Sequence, residues 1–248
     1  MHSLTAKTAI VVGASRGFGR GIAQAFSTSG ASVIAVARDA SMLRELAATS
    51  PSIQPETADA TDSASADRLL RRYAPDVLAL VAGAAPSLAP LHEQSWESFS
   101  INWGTDARIA FNWLKQALLL PLRPGSRVIV MSSGAALNGS PLSGGYAGAK
   151  AAQRFMASYA DQESQRAGLG IRVVAVLPRL TPATTLGQPA VAGYAARAGI
   201  SEAEFLQQLG EPVTPASAGE AFVELATCDS NSLSAAYALS GGGLQPLP

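Results

Sequence analysis

The sequence is short of charge, sulfur and imidazole. Of its 248 residues only 15% are charged, against about 25% in an average soluble domain, and 18 basic side chains are matched by 18 acidic ones. Without a basic excess, binding to a phosphate backbone through bulk charge is excluded and no nucleic-acid partner is expected. The single cysteine, Cys228, cannot form an internal disulfide. The two histidines, His2 and His92, are too far apart to assemble a Cys/His site, so structural zinc is excluded and no metal ligands are assigned. Long apolar runs are also missing. Ala117 to Leu122 and Val173 to Leu177 fall well short of the roughly 20 residues that span a bilayer, so no membrane segment is expected. The opening Met1-His2-Ser3-Leu4-Thr5-Ala6-Lys7 lacks a basic segment, an apolar core and a small-residue cleavage site, which leads to the expectation of a soluble, cytoplasmic protein.

What is present is enough apolar material, 48% of the chain, to bury one sizeable core. A β-branched run followed by a longer amphipathic run is the repeating unit. Strands are predicted at Thr8 to Val12, Ser32 to Val36, Val77 to Val81, Arg127 to Met131, Ile171 to Leu177 and Ala235 to Leu239, with a short one between Pro51 and Pro55. Helices are predicted at Phe18 to Ser29, Ser41 to Ala48, Ser63 to Tyr73, Trp96 to Leu120 and Tyr146 to Arg166. In the long one, Phe99, Trp103, Ala107, Ala110, Phe111 and Leu114 recur at helical spacing. Alternation of this kind builds right-handed βαβ units, so the expected fold is α/β, a doubly wound parallel sheet of Rossmann type in a single domain over 1–248. Residues 187–210 carry two extra helical patterns, Val191 to Ala198 and Glu202 to Leu209. They form an insertion after a strand's carboxyl end, where such sheets bind ligands, and it could serve as a substrate loop or as an oligomer contact.

Gly13-Ala14-Ser15-Arg16-Gly17-Phe18-Gly19 joins the first strand to the first helix. Glycines there allow positive φ and close approach to a pyrophosphate, which free N–H groups at a helix N-terminus would bind. At the end of the second strand, Arg38 precedes Asp39. An arginine there accepts a ribose 2′-phosphate, Arg16 can share it, and Asp39 is placed to cap the next helix, so NADP(H) is expected over NAD(H). Tyr146 and Lys150 lie at i and i+4, on one helix face, and an adjacent ammonium favours the phenolate of a group whose ordinary pKa is about 10. That makes the pair a credible proton donor to a carbonyl. Ser133 lies at the end of the fifth strand, and Asn102 in the long helix before it.

With the turn spaced G-x-x-x-G-x-G, Tyr-x-x-x-Lys, Ser133 thirteen residues before Tyr146, and Gly241-Gly242-Gly243 near the end, the chain resembles the short-chain dehydrogenase/reductase family over nearly its whole length. The resemblance implies a catalytic tetrad. In it Tyr146 is the general acid/base and Ser133 bonds the substrate oxygen. Lys150 binds the nicotinamide ribose, and Asn102 holds a water in the proton relay. It further implies that Gly13, Ser15, Arg16, Gly17, Phe18, Gly19, Arg38, Asp59, Ala60, Ala82, Gly83, Tyr146, Lys150 and Pro178 contact the cofactor, with Asp59 beside the adenine. Two departures stand out. Leu80 and Val81 replace the asparagines of the family's Asn-Asn-Ala-Gly, and Pro178-Arg179 replaces its Pro-Gly, with Thr181 and Thr184 near the usual threonine. Arg179 could face an anionic substrate group or solvent.

The expected activity is an NADP(H)-dependent oxidoreductase acting on a small-molecule carbonyl or secondary alcohol. The alternatives are a non-catalytic NADP-binding regulator, or an isomerase, epimerase or dehydratase on the same fold. Leu88, Leu137, Leu142, Leu180 and Leu186 suggest an apolar substrate. A homodimer or homotetramer is expected, since Ala147, Ala151, Ala157 and Ala160 along the Tyr146 helix would let subunits pack closely.

Overall fold

In a computed structural model of the protein, residues 3–248 are described, so His2 lies outside them. The chain alternates strand and helix from the start: β1 (Thr8–Val12), α1 (Gly17–Thr28), β2 (Ser32–Ala37), α2 (Ala40–Ala47), β3 (Ile53–Thr57), α3 (Ser63–Tyr73) and β4 (Val77–Leu80). There follow α4 (Trp96–Asn102), a π turn (Trp103–Ala107), α5 (Arg108–Leu119), β5 (Arg127–Met131), the short α6 (Ala135–Asn138), α7 (Gly144–Arg166) and β6 (Arg172–Pro178). The chain closes with α8 (Gly187–Ala198), α9 (Glu202–Leu209), α10 (Pro215–Thr227), β7 (Ala236–Ser240) and β8 (Gly243–Leu247).

These strands form one sheet in the order β3-β2-β1-β4-β5-β6-β7-β8. All neighbours run parallel except β7 and β8, which pair antiparallel. The last hairpin corrects the sequence reading. The last predicted strand ends at Leu239, whereas the glycine run turns the chain back into an eighth strand. Strand order reverses between β1 and β4, and the carboxyl ends of these two strands open the crevice where doubly wound sheets take ligands.

Both faces of the sheet are covered, as parallel sheets require. One core packs Phe26, Leu43, Leu46 and Phe222 from α1, α2 and α10 against Val11, Ile129 and Val174. The other packs Leu69, Trp113, Leu114 and Ala157 from α3, α5 and α7 against Ile10, Val128 and Val173.

The segment Trp96 to Leu120 is not one helix. A π turn interrupts it, and the buried face is offset from the one predicted. Trp103 and Phe111 are exposed, whereas Asn102, Asp106, Ile109, Ala110 and Trp113 are buried. Counting hydrophobic residues alone assigns Asn102 and Asp106 to solvent, but their polar groups meet buried partners described below. The expected alanine row is corrected in part. Ala157 and Ala160 pack into the chain's own core and Ala147 is buried, whereas Ala151 is exposed, and the outward side of α7 also carries the stacked pair Phe155 and Tyr159.

Candidate functional site

At the β1/β4 switch point lies a cavity of about 530 Å³, within the size range of cofactor and drug-sized sites. Its first wall is the turn after β1. Gly13 has φ +96°, a conformation L side chains rarely adopt, and its N–H donates to Val36 O at 2.8 Å, tying the turn to β2. Gly19 is required for a different reason, since a Cβ there would lie 2.0 Å from the Gly13 carbonyl oxygen. Helix α1 starts without a side-chain cap and without an acidic residue in its first turn, so its first N–H groups are left for an anionic ligand.

The second wall is the end of β2. Arg38 and Arg16 both line the cavity with exposed side chains. Asp39 lines it too, but its Oδ1 accepts the Ser41 and Met42 N–H groups at 3.0 and 3.1 Å, so its carboxylate serves as the cap of α2.

The third wall, Asp59 to Thr61, is held from behind. Trp113 Nε1 donates to Ala60 O at 3.0 Å and Asn112 Nδ2 donates to Thr61 O at 2.9 Å. Asp59 accepts the Thr61 N–H and hydroxyl at 2.9 and 2.8 Å, bonds that lower its carboxyl pKa, with Arg38 and Arg108 adding to the effect. Neither Trp113 nor Asn112 was singled out by sequence, where they read as ordinary amphipathic-helix positions.

At the far end sit Tyr146, half-buried, and Lys150, buried. Lys150 Nζ lies 5.4 Å from the Tyr146 ring centroid, 2.9 Å from Gln153 Oε1, 3.3 Å from Met131 O and 3.1 Å from Asp106 Oδ2. Burial works against its charge. The Asp106 carboxylate, with a smaller contribution from Tyr146, outweighs that penalty and raises the lysine pKa above its ordinary value.

All fourteen residues expected to contact the cofactor, from Gly13 to Pro178, line this one cavity. Asn102 and Ser133 are not among its lining residues. The Asn102 amide donates to Ala84 O at 2.9 Å and to Asp106 Oδ1 at 3.2 Å, and the Ser133 hydroxyl accepts the Ala135 N–H at 3.2 Å. Arg179 is exposed and has no positive φ, and its N–H continues the β6–β7 ladder to Leu239 O at 2.9 Å. Thr184, Thr185 and Leu186 line the cavity, while Thr181 is buried with its hydroxyl on Val213 O. Beyond the cavity, α8 lies against both neighbouring loops: Gly193 faces Leu142 and Leu88, and the Tyr194 hydroxyl meets Ser140 and Ser143.

A larger opening of about 690 Å³ lies at the other end of the sheet, around Gly125, Ser164, Gly170, Arg172 and Ser230. The one charged side chain lining it, Arg172, is engaged by Asp161, Ser230 and Leu233, so we assign the site to the switch-point crevice.

A dinucleotide fits the residues present: a glycine turn whose close approaches leave no room for Cβ atoms, a helix N-terminus without a side-chain cap, and the exposed guanidinium groups of Arg16 and Arg38 on the same cavity. Comparison with known proteins agrees. The family model described as short chain dehydrogenase matches residues 7–194. A hydroxynaphthalene reductase-like protein of Metarhizium robertsii is 32% identical over 170 residues, 64% of this chain and 63% of that protein. The 2-keto-3-deoxy-L-fuconate dehydrogenase of Xanthomonas campestris is 34% identical over 193 residues, 75% of this chain and 62% of the relative. Human L-xylulose reductase is 32% identical over 105 residues, 42% and 43% of the two chains. The chain thus matches less than two thirds of the length of each of these relatives.

Proposed function

The chain belongs to the short chain dehydrogenase family, whose members use nicotinamide cofactors, and from that membership we propose that it is an NADP(H)-dependent carbonyl reductase or alcohol dehydrogenase. The observation that carries this reading is a single cavity with Arg16 and Arg38 at one end and the Tyr146–Lys150 pair at the other. When bound, the nicotinamide supplies or accepts the hydride.

In this reading the chain's own residues orient the reactants and manage the proton. The N-terminus of α1 holds the pyrophosphate. Arg16 and Arg38 hold a 2′-phosphate by charge-assisted bonds. In reduction, Tyr146 Oη gives its proton to the oxygen of the reacting carbonyl, and in oxidation it takes it back. Lys150 places positive charge beside that phenol and reaches toward the ribose. Ser133, just after β5, bonds the substrate oxygen, and Asn102 is read as the residue that holds a water in the proton relay. The insertion at 187–210 acts as the substrate loop, with Leu186, Leu142 and Leu88 favouring an apolar substrate, and Arg179 takes no part.

As part of the same reading the protein is cytoplasmic and works as a homodimer or homotetramer. Exposed Trp103 and Phe111 beside the π turn, with Phe155 and Tyr159 on α7, support a subunit contact, since exposed aromatic clusters mark interaction sites. No described helix is long and apolar enough to cross a membrane.

The test is NADPH oxidation across a panel of ketones and aldehydes, with NADH in parallel. Turnover with NADPH that is lost in Tyr146→Phe while NADPH binding persists is the expected result. Binding without turnover over the whole panel would instead favour a regulator. Turnover without release of oxidised cofactor would favour an isomerase or epimerase.

A further inference from the structure

The π turn exists at a specific place, and what it carries inward is a carboxylate. Asp106 is 0% exposed. Its Oδ1 accepts the Ala84 N–H at 2.9 Å and the Asn102 amide at 3.2 Å, and its backbone carbonyl accepts Gln153 Nε2 at 3.0 Å. Its Oδ2 sits 3.1 Å from Lys150 Nζ, off the line of an aligned hydrogen bond, and has no other protein partner. Gly83 packs so closely that a Cβ there would fall 2.6 Å from that oxygen.

A buried carboxylate is costly unless its charge is paired and its lone pairs are filled. Here one side chain ties the loop after β4 to the π turn and faces the ammonium. The groups around Lys150 are few. They are Asp106 from the π turn, Tyr146 and Gln153 from α7, and the Met131 carbonyl from β5. Asp106 is therefore the one anionic side chain, among the described residues, in contact with this lysine. It meets Lys150 and not Tyr146.

We propose that Asp106 is a positioning residue: it anchors Lys150 in its charged form at the foot of the cavity and thereby fixes the positive charge beside which Tyr146 works. The inference rests on the reading of Tyr146 and Lys150 as the proton-handling pair. The loop that follows Leu80 and Val81 is held by Asp106 and Asn102 through Ala84 alone, its N–H donating to Asp106 and its carbonyl accepting the Asn102 amide. Without the carboxylate, burial is left to act on Lys150 against two neutral acceptors, and a lysine so placed gives up its proton far more readily than in water. The phenolate of Tyr146 then forms without a neighbouring cation.

The test compares Asp106→Asn, which keeps the shape and the acceptor for Ala84, with the parent chain. Phenolate absorbance is followed against pH in the cofactor-free protein, with Tyr146→Phe subtracted in each background. Asp106→Asn is expected to move the Tyr146 midpoint upward by about one pH unit or more, which is about a tenfold loss of phenolate at fixed pH. The acid limb of kcat/KM for alcohol oxidation should move in the same direction. In a Lys150→Met background, Asp106→Asn should move neither, because the effect passes through the lysine. A midpoint that stays or falls in the single variant, or that moves equally in the Lys150→Met background, overturns the proposal. If Asp106→Asn does not fold, Asp106→Glu, which keeps the charge, replaces it and should hold the midpoint within about half a unit of the parent. If the parent protein turns over no alcohol or ketone, the functional reading fails, while the absorbance titration still decides the role of Asp106.

Discussion

Replacing Trp113 by Phe tests whether the core positions the cofactor site or merely supports the fold. The indole is fully buried and its N–H donates to the carbonyl of Ala60, itself only 9% exposed. Phe keeps an aromatic ring but removes the donor. Losing the five-membered ring leaves roughly 40 Å³ unfilled, which costs about 1 kcal/mol at the cavity rate for incompletely relaxed cores. Leaving a buried carbonyl without its partner costs a further 1–3 kcal/mol or so. The sum, about 3 kcal/mol, should lower Tm by about 6–12 °C in a domain of this size. Because Ala60 and its neighbours form one wall of the cavity, NADPH affinity should fall too, by about tenfold, equivalent to about 1.4 kcal/mol. Leu114→Ala is the control. That side chain is buried in the same core but makes no bond to the wall, so it should depress Tm by a similar amount and leave Kd unchanged. Thermal melts by circular dichroism and nucleotide titration by fluorescence read the two quantities. If Trp113→Phe and Leu114→Ala lower Tm alike and neither alters Kd, the claim that Trp113 sets the wall is refuted.

The parts of the site that were legible in the sequence are those fixed by backbone geometry or by a short repeat. Gly13 and Gly19 could be read because only glycine satisfies a positive φ and a 2.0 Å approach in a strand-to-helix turn. Tyr146 and Lys150 could be read because four residues bring two side chains onto one helix face. Asp39 could be read as a cap because a carboxylate just before a helix has one strong local use, and it fills that use here. What escaped depends on contacts distant in sequence. Asp106 looks like a solvent-facing residue until the loop after β4 supplies the Ala84 N–H, 22 residues away, and Asn102, named only through the family resemblance, is tied to the same loop by the Ala84 carbonyl 18 residues away. The π turn that aligns them leaves no periodicity signal, because it shifts the helix register by a single residue. The eighth strand was missed for a related reason. Gly243–Leu247 carries a proline and little β-branched residue content, so only pairing with β7 makes it a strand.

Three further outcomes are expected, each from a different part of the molecule. Gly19→Ala should abolish measurable NADPH binding by titration, because the new methyl meets the Gly13 carbonyl and the turn must open to admit it; unaltered affinity would show that this turn does not hold the dinucleotide. Arg38→Ala, and separately Arg16→Ala, should each lower the preference for NADPH over NADH by about tenfold to a hundredfold, the range for losing a hydrogen bond to a charged group, and an unchanged ratio in both would remove the 2′-phosphate assignment. The last concerns pH. Partial burial of Tyr73, followed by its hydrogen bond to and the charge of Glu56, raises the phenol pKa above the ordinary value of 10.0. A group whose pKa is raised on folding holds more protons in the native state, so the stability it contributes is complete below pH 10 and is lost as pH climbs through the folded value. Tyr73→Phe has no proton to lose. Melting temperatures taken between pH 8 and about 11 should therefore fall less steeply in the variant than in the parent chain. Equal slopes would mean that the Tyr73–Glu56 contact does not persist in solution, and that Glu56 is held by Arg68 and Arg72 alone.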